Sequence, residues 1–376
     1  MKPRTARGQH ALPGHYFSST GIWQLELERI FRRSWLLAGH RSELTGRGNY
    51  FLLEFGHESV IMLRDEAGDI RAFHNVCRHR GTRLCTASRG NVGRTIQCAY
   101  HAWTYGLDGT LRGAPHMQEV AGFDKTRWGL KPAAMAEWRG FLFINLADNP
   151  QPFDAALPSL IDKFAHWPLA ELKSAHQIVY EVEANWKLIF HNYSECYHCP
   201  AAHPHLNKLT PFRNSENDLE AGPVLGGPMK LSDPQGSMTT TGTRCAPPFA
   251  SLTAEESARV CYYTLFPSAF LSLHPDYVLI HRVQPLAIDR TRIICDWYFH
   301  PEAMVTPGFD AQPAIEFWDL TNRQDWTLCA NAFRGVRSAA WTPGPYSELE
   351  SQLAAFDRYY LHILQPDTPG HEPPQS

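Results

Sequence analysis

Charge is scarce in this 376-residue chain and has no dominant sign: 35 Lys and Arg stand against 38 Asp and Glu, 19% of the residues, for a net charge of −3. That leaves no basic field to hold nucleic acid or an anionic membrane surface. Long hydrophobic runs are missing too, and none approaches the roughly 18 residues that suggest a membrane span. The N-terminus carries Lys2, Arg4 and Arg7, but Gln9, His10, Pro13 and His15 stand where a signal peptide needs an apolar stretch. No internal repeat is found. No G-x-G-x-x-G opens a helix after a strand either: Gly46-Arg47-Gly48 is followed by Asn49, Tyr50 and Phe51. The chain therefore lacks a dinucleotide fingerprint. Hydrophobic residues make up 43%, which excludes disorder and a fibrous chain.

What the chain has in quantity is soft-ligand chemistry, with 9 cysteines and 19 histidines. The missing signal peptide implies a cytoplasmic location, a reducing compartment where cysteines are thiols or metal ligands. An odd count also fits poorly with a disulfide framework.

The stretch from about 23 to 37 has helical spacing. From about 48 to 146 the pattern becomes short alternating segments such as NYFLLEF, SVIMLR and GFLFINL, parted by turn signals at 66–69 and 107–109. This predicts an all-β domain, with Asn149, Pro150 and Pro152 as a linker. Helical stretches are expected near 154–170, 185–199, 312–334 and 347–364, and strands near 259–272, 277–284 and 291–300. Between about 207 and 251 Gly and Pro recur and no element is predicted, so a lid or mobile segment is expected. The tail 365–376 (QPDTPGHEPPQS) is expected to be disordered.

Two pairs of candidate ligands lie in the β region: Cys77 with His79, and Cys98 with His101. A Cys and a His two or three apart can reach one metal centre from a tight loop, and two such loops supply four ligands. They could hold a tetrahedral zinc or a Rieske [2Fe–2S] cluster, with cysteines on one iron and histidines on the other. Mixed Cys–His pairs in a β domain favour the cluster.

A second constellation is NWKLIFHNYSECYHCPAAHP (185–204), where His198 and His203 are five apart. On an ideal helix such residues diverge by about 140°, so convergence needs a break, and Pro200 between them supplies a kink. Two histidines and a carboxylate on one face of a metal leave positions open for O₂ and substrate. Zinc hydrolases use the same residue types, and the carboxylate must come from elsewhere in the chain.

The strings NVCRHRGTRLC (75–85) and CAYHAWTYGLDGTL (98–111) closely resemble the Rieske domain of Rieske non-haem iron oxygenases. The resemblance covers nearly the whole chain. It implies an α+β fold in which an all-β Rieske domain (40–148) is inserted in a helix-grip (START-like) catalytic domain (1–39 and 149–364) with an antiparallel sheet and C-terminal helices. It carries Cys77, His79, Cys98 and His101 over as cluster ligands. Trp103 resembles the aromatic that shields the cluster, though a core tryptophan is equally compatible, and Cys85 reads as a small buried residue. It makes His198 and His203, rather than His205, ligands of a mononuclear Fe(II). LTNRQDWTLCANAFRG (320–335) points to Asp325 as the third ligand, with Asp319 as the rival.

Glu195, three before His198, resembles the acid that bridges the mononuclear iron to a Rieske histidine of the neighbouring subunit, the subunits forming a ring of three or a multiple of three. His191 departs from the family, where an acid or amide commonly stands. Cys196 and Cys199 read as packing around the iron rather than as a redox pair.

RGVRSAAWTPGPYS (334–347) and ECYHCPAAHP resemble the branch containing glycine betaine and related quaternary-ammonium oxygenases. That implies oxidative N-demethylation, with O₂ as co-substrate and electrons from NAD(P)H delivered by a separate flavin and iron–sulfur reductase, or a ferredoxin plus reductase. A quaternary ammonium calls for an aromatic cage, for which Phe212, Tyr262, Tyr263, Phe266, Phe270 and Phe333 are candidates. Two alternatives stay open: a Rieske oxygenase that hydroxylates or O-demethylates an aromatic or other carboxylate-bearing compound, and a non-catalytic electron carrier or zinc module.

Overall fold

The structure is a computed structural model that describes residues 9–365. Most of the tail expected to be disordered, 366–376, lies outside the described residues. The chain forms two compact units, one from Trp35 to Pro150 and the other from the residues before and after it. The boundary falls at 35 rather than 40 because Leu36–His40 is a strand, antiparallel to Phe141–Asn145. Among the described residues no helix is long and apolar enough to cross a membrane.

The first unit is all β, as its alternating sequence requires. Three small antiparallel sheets form it: 36–40, 141–145 and 134–138; then 70–74, 58–64, 49–55 and 89–91; then 95–97, 104–106 and 111–113. Its core gathers inward residues of the last two sheets, among them Leu52, Ile61, Leu63, Phe73, Ile96 and Tyr105, together with Cys77, Cys85 and Cys98.

The second unit is built on a six-stranded antiparallel sheet in the order 173–182, 290–299, 278–287, 269–273, 259–265, 224–230. The helix Gln312–Val336 lies against it. Ala314, Phe317, Trp318, Thr321, Asn322, Trp326, Cys329 and Phe333 recur every three or four residues and are its buried face. Hydrogen bonds seat this helix on the sheet: Trp318 Nε1 donates to Tyr277 Oη at 2.7 Å, and Asn322 Oδ1 meets His281 Nε2 at 3.0 Å. A deeper anchor is the fully buried Glu26, bonded to Lys187 Nζ at 2.5 Å, Trp186 Nε1 at 2.9 Å and Tyr360 Oη at 2.7 Å. This ties the early helix Thr20–Glu26, the helix Trp186–Tyr193 and the C-terminal helix Ser351–Leu364 together.

Several expectations need correction. The early helix stops well before 37, passing through a π-helical turn at Leu27–Phe31 into the 36–40 strand. The stretch 154–170 is not one helix but the short turns Phe153–Ala156 and Pro158–Ile161, the second opened by Pro158. The segment 207–251 is not structureless: Val224–Lys230 is the edge strand of the sheet. Ser237, Met238 and Thr239 beyond it are buried, and Met238 O accepts from Tyr277 Oη at 2.7 Å. The strand Lys173–Val182 had no counterpart in the sequence reading.

Candidate functional site

The first constellation sits on two loops of one shape. Cys77 N donates to Thr82 O at 2.8 Å and Gly81 N to Cys77 O at 3.0 Å; Cys98 N donates to Trp103 O at 2.8 Å and Ala102 N to Cys98 O at 3.0 Å. The fifth residue of each loop has positive φ, Gly81 at 75° and Ala102 at 54°. Glycine adopts that conformation freely, whereas Ala102 holds it at a cost of about 1 kcal/mol or more. Two matching loops thus present Cys77 with His79, and Cys98 with His101.

Both cysteines are buried free thiols. Burial works against a Cys98 thiolate, yet the backbone N–H groups of Tyr100 and His101, together with the side chains of Cys77 and Thr82, outweigh it and lower the pKa. Tyr105, fully buried, places its hydroxyl 3.3 Å from Cys77 Sγ and accepts from Arg78 N at 3.0 Å. The rings of His79 and His101 lie 4.7 Å apart, and the Nδ1 atom of each is buried without a hydrogen-bond partner. Such atoms are costly unless something bonds to them. Two orphaned imidazole nitrogens beside two buried thiols fit a group that takes two nitrogens and two sulfurs, as a Rieske cluster does. Trp103 stacks on His79 at 4.9 Å and 7°. Cys85 is buried, with its thiol pushed up to about 11 by that burial.

The second constellation converges by a route different from the expected kink. The helix Trp186–Tyr193 ends before Glu195, so Glu195 and His198 do not share a helical face. Residues 195–198 run as an irregular turn, and Pro200 is the second residue of the next helix, Cys199–Ala202, instead of bending one. Pro suits a first helical turn, where its missing N–H costs nothing. His203 follows that helix and precedes Pro204–Leu209. The turn still brings Glu195 Oε1 to His198 Nδ1 at 2.5 Å. It also brings the Cα atoms of Cys196 and Cys199 to 4.9 Å, and the two are joined in a disulfide. That corrects the expectation that every cysteine is a thiol or a ligand.

Asp325 reaches this turn from the long helix. Its Oδ1 lies 2.7 Å from His203 Nε2 and 3.3 Å from His198 Nε2, and the ligand atoms of the three residues lie within 4.8 Å of one another. Asn192 Nδ2 donates to the same carboxylate oxygen at 3.1 Å, and Gln324 Oε1 meets His203 Nδ1 at 2.7 Å. Each imidazole therefore has its Nδ1 held and its Nε2 turned inward, the arrangement a metal site uses to fix its histidines.

Burial alone would lower the pKa of His198, but bonds to Asp325 and Glu195 outweigh it and push it up to about 10. His203 is raised as well, again against burial, and Asp325 is lowered by the two imidazoles despite being buried. The cluster is electrostatically set to hold a cation between a carboxylate and two nitrogens. Asp319 is engaged elsewhere, by Tyr180 Oη at 2.7 Å and Arg323 Nε at 2.9 Å. His205 is exposed. His191 Nε2 meets Asp357 Oδ1 at 2.8 Å in a buried pair.

A cavity of about 910 Å³, its open mouth included, lies over these residues. His198, His203, Asp325 and Glu195 line it, and its aromatic walls are Tyr193, Tyr262 and Trp318. Tyr262 is 6.3 Å from Tyr193 and 6.1 Å from Trp318 between ring centroids, edge to face. Of the six aromatic residues expected there, only Tyr262 lines it. Strand alternation turns Tyr263 to the opposite face, against Phe164. Phe270 lies beneath Tyr193, stacked at 4.1 Å, and Phe266 packs on Trp186 and Phe356. Phe333 follows Asp325 by more than two helical turns, and Phe212 lies under Arg213. Trp318 was missed, although it precedes Asp325 by seven residues and so shares its helix face.

Comparison with known proteins finds a family match for each unit of the chain. Residues 34–124 match the Rieske [2Fe-2S] domain and residues 169–366 the ring hydroxylating alpha subunit (catalytic domain). The glycine betaine monooxygenase oxygenase subunit of Chromohalobacter salexigens is 33% identical over 92% of this chain and 83% of that protein. The carnitine monooxygenase oxygenase subunit of Escherichia coli is 37% identical over 88% of this chain and 85% of that protein. A solved quaternary ammonium Rieske monooxygenase superposes with a TM-score of 0.84 at 25% identity, covering 96% of this chain and 97% of that one.

Proposed function

The chain belongs to the Rieske ring-hydroxylating oxygenases, with the Rieske [2Fe–2S] and catalytic non-haem iron domains of that family, and we propose that it is the oxygenase component that N-demethylates a quaternary ammonium compound. The observation that carries this reading is the cavity wall: Tyr193, Tyr262 and Trp318 line the cavity that also contains His198, His203 and Asp325. Electron-rich ring faces attract an onium group that cannot be hydrogen-bonded.

In this reading Cys77, His79, Cys98 and His101 hold the cluster, and His198, His203 and Asp325 hold the mononuclear iron. When bound, the two centres supply single electrons and a place to activate O₂. The protein's own part is positional. Glu195 accepts from His198 Nδ1–H and Gln324 from His203 Nδ1–H, which fixes both tautomers and leaves Nε2 free for the metal. Asn192 donates to Asp325 and holds the carboxylate plane. The aromatic walls exclude water and turn one N-methyl group toward the iron-binding residues. Hydroxylation of that methyl yields a carbinolamine, which releases formaldehyde.

The partners in this reading are a flavin and iron–sulfur reductase, or a ferredoxin plus reductase, and further copies of the chain in a homotrimer. Glu195 then bridges His198 to His101 of a neighbouring copy. The alternative, a carboxylate-bearing aromatic substrate, is not favoured: among the described residues lining the cavity none is Lys or Arg. A screen of NADH and O₂ consumption with a surrogate reductase tests the reading. Stimulation is expected from quaternary ammonium compounds and not from aromatic acids; the reverse pattern would exclude it.

A further inference from the structure

The cavity rim carries a charge that neither metal-binding constellation uses. Residues 215–219 run alongside the edge strand Val224–Lys230, with Glu216 N donating to Pro228 O at 2.9 Å and Asp218 N to Gly226 O at 3.0 Å. This approach requires bare backbone. A Cβ on Gly227 would stand 1.8 Å from Glu216 O, and one on Gly226, where φ is 142°, would stand 2.0 Å from Tyr262 O. The consecutive glycines, which looked like loop punctuation in the sequence, fix Glu216 and Asn217 on the rim of the cavity beside the aromatic wall.

The charges around the cavity are lopsided. Its lining includes three carboxylates, Glu195, Asp325 and Glu216, and no Lys or Arg among the described residues. Glu195 and Asp325 are bonded to the two imidazoles. Glu216 touches neither. Lys230 Nζ lies 3.7 Å from it, but both side chains are more than half exposed and Lys230 is not part of the lining, so solvent screens this pair, and by the same screening Glu216 can shift ligand preference by no more than a few-fold.

We propose that Glu216 makes this cavity select a quaternary ammonium without a carboxylate of its own, one whose far end is a hydroxyl or another hydrogen-bond donor. The inference rests on the quaternary-ammonium reading and narrows it. A short zwitterion would bring its carboxylate past a rim of like charge into a wall that offers no cation to pair with it. A hydroxyl in the same place can donate to Glu216. Glycine betaine and carnitine, the compounds that name the relatives above, both carry a carboxylate, so neither is the substrate this inference favours.

The test is calorimetric titration of the iron-loaded protein with choline and with glycine betaine, which share a trimethylammonium head and differ at the other end. Choline is expected to bind about two- to fivefold more tightly, the effect of roughly one partly exposed like charge. Glu216→Gln should narrow the ratio, and Glu216→Arg should reverse it. Equal or tighter binding of glycine betaine by the unaltered protein, or a ratio that Glu216→Gln leaves unchanged, overturns this inference alone. Failure of choline, glycine betaine and carnitine all to bind overturns the quaternary-ammonium reading and this inference with it.

Discussion

His203 and Asp325, on different elements of the second unit, meet with Nε2 and Oδ1 2.7 Å apart. The helix Gln312–Val336 brings the carboxylate, and the turn between two short helices brings the imidazole. Asp325 is also 3.3 Å from His198 Nε2. One carboxylate thus serves both histidines, while Asp319 on the same helix is committed to Tyr180 and Arg323.

Replacing Asp325 by Ala should therefore abolish mononuclear iron binding and leave the Rieske absorption and EPR signals intact. Asp319→Ala should retain iron at both centres. Iron analysis together with the Rieske spectrum checks both, and activity retained in Asp325→Ala would refute the ligand assignment.

Glu195→Gln removes the charge from the His198 contact while keeping the side chain's size. Both metals should stay bound, and transfer of electrons between the centres should slow. Single-turnover experiments on the pre-reduced enzyme measure this. An unaltered rate would leave Glu195 as a turn-former only, through its bonds to the backbone N–H groups of Tyr197 and His198.

The residues proposed as cluster ligands could be picked out of the sequence because they lie within a few residues of one another on two short loops, where spacing carries the geometry. His198 and His203 were legible for the same reason, although the physical route was misjudged: the chain leaves the helix before Glu195, so no kink at Pro200 is needed. Asp325 required resemblance, since nothing local links it to the histidines. The aromatic wall was the part least open to sequence reading. Choosing between Tyr262 and Tyr263 depends on strand register, and Phe270 became a floor beneath Tyr193 only once the sheet had closed on the helix. The strand 173–182 hid because it is an edge strand, with exposed Val179 and polar Glu181.

Trp318 and Tyr262 should matter for charge rather than for bulk. Trp318→Ala is expected to weaken binding of a quaternary ammonium by about 0.5–2 kcal/mol, the range of a cation–π contact. It should weaken binding of the isosteric neutral tert-butyl compound less. Paired calorimetry with the cation and its neutral analogue checks this; equal losses for both would point to packing alone.

Iron uptake should depend on pH in a defined direction. In protein prepared without iron, the raised pKa of His198, about 10, keeps that imidazole protonated at neutral pH, and His203 is shifted in the same direction by Asp325 and Gln324. Fe(II) must displace that proton, so its apparent affinity should rise from pH 6 to pH 8. The same shift stabilises the iron-free fold fully below the unfolded value near 6.5, and that contribution is lost as pH rises through about 10. Anaerobic iron titrations at several pH values measure the uptake, and a flat profile would contradict this electrostatic picture.

The most direct test of the account as a whole is the yield of formaldehyde per O₂ consumed, measured with the iron-loaded enzyme, a surrogate reductase, NADH and a saturating quaternary ammonium substrate. The account expects formaldehyde in near-equal amount to the O₂ taken up, and none from Asp325→Ala. O₂ consumption driven by an aromatic acid, with no formaldehyde from any quaternary ammonium compound, would contradict it.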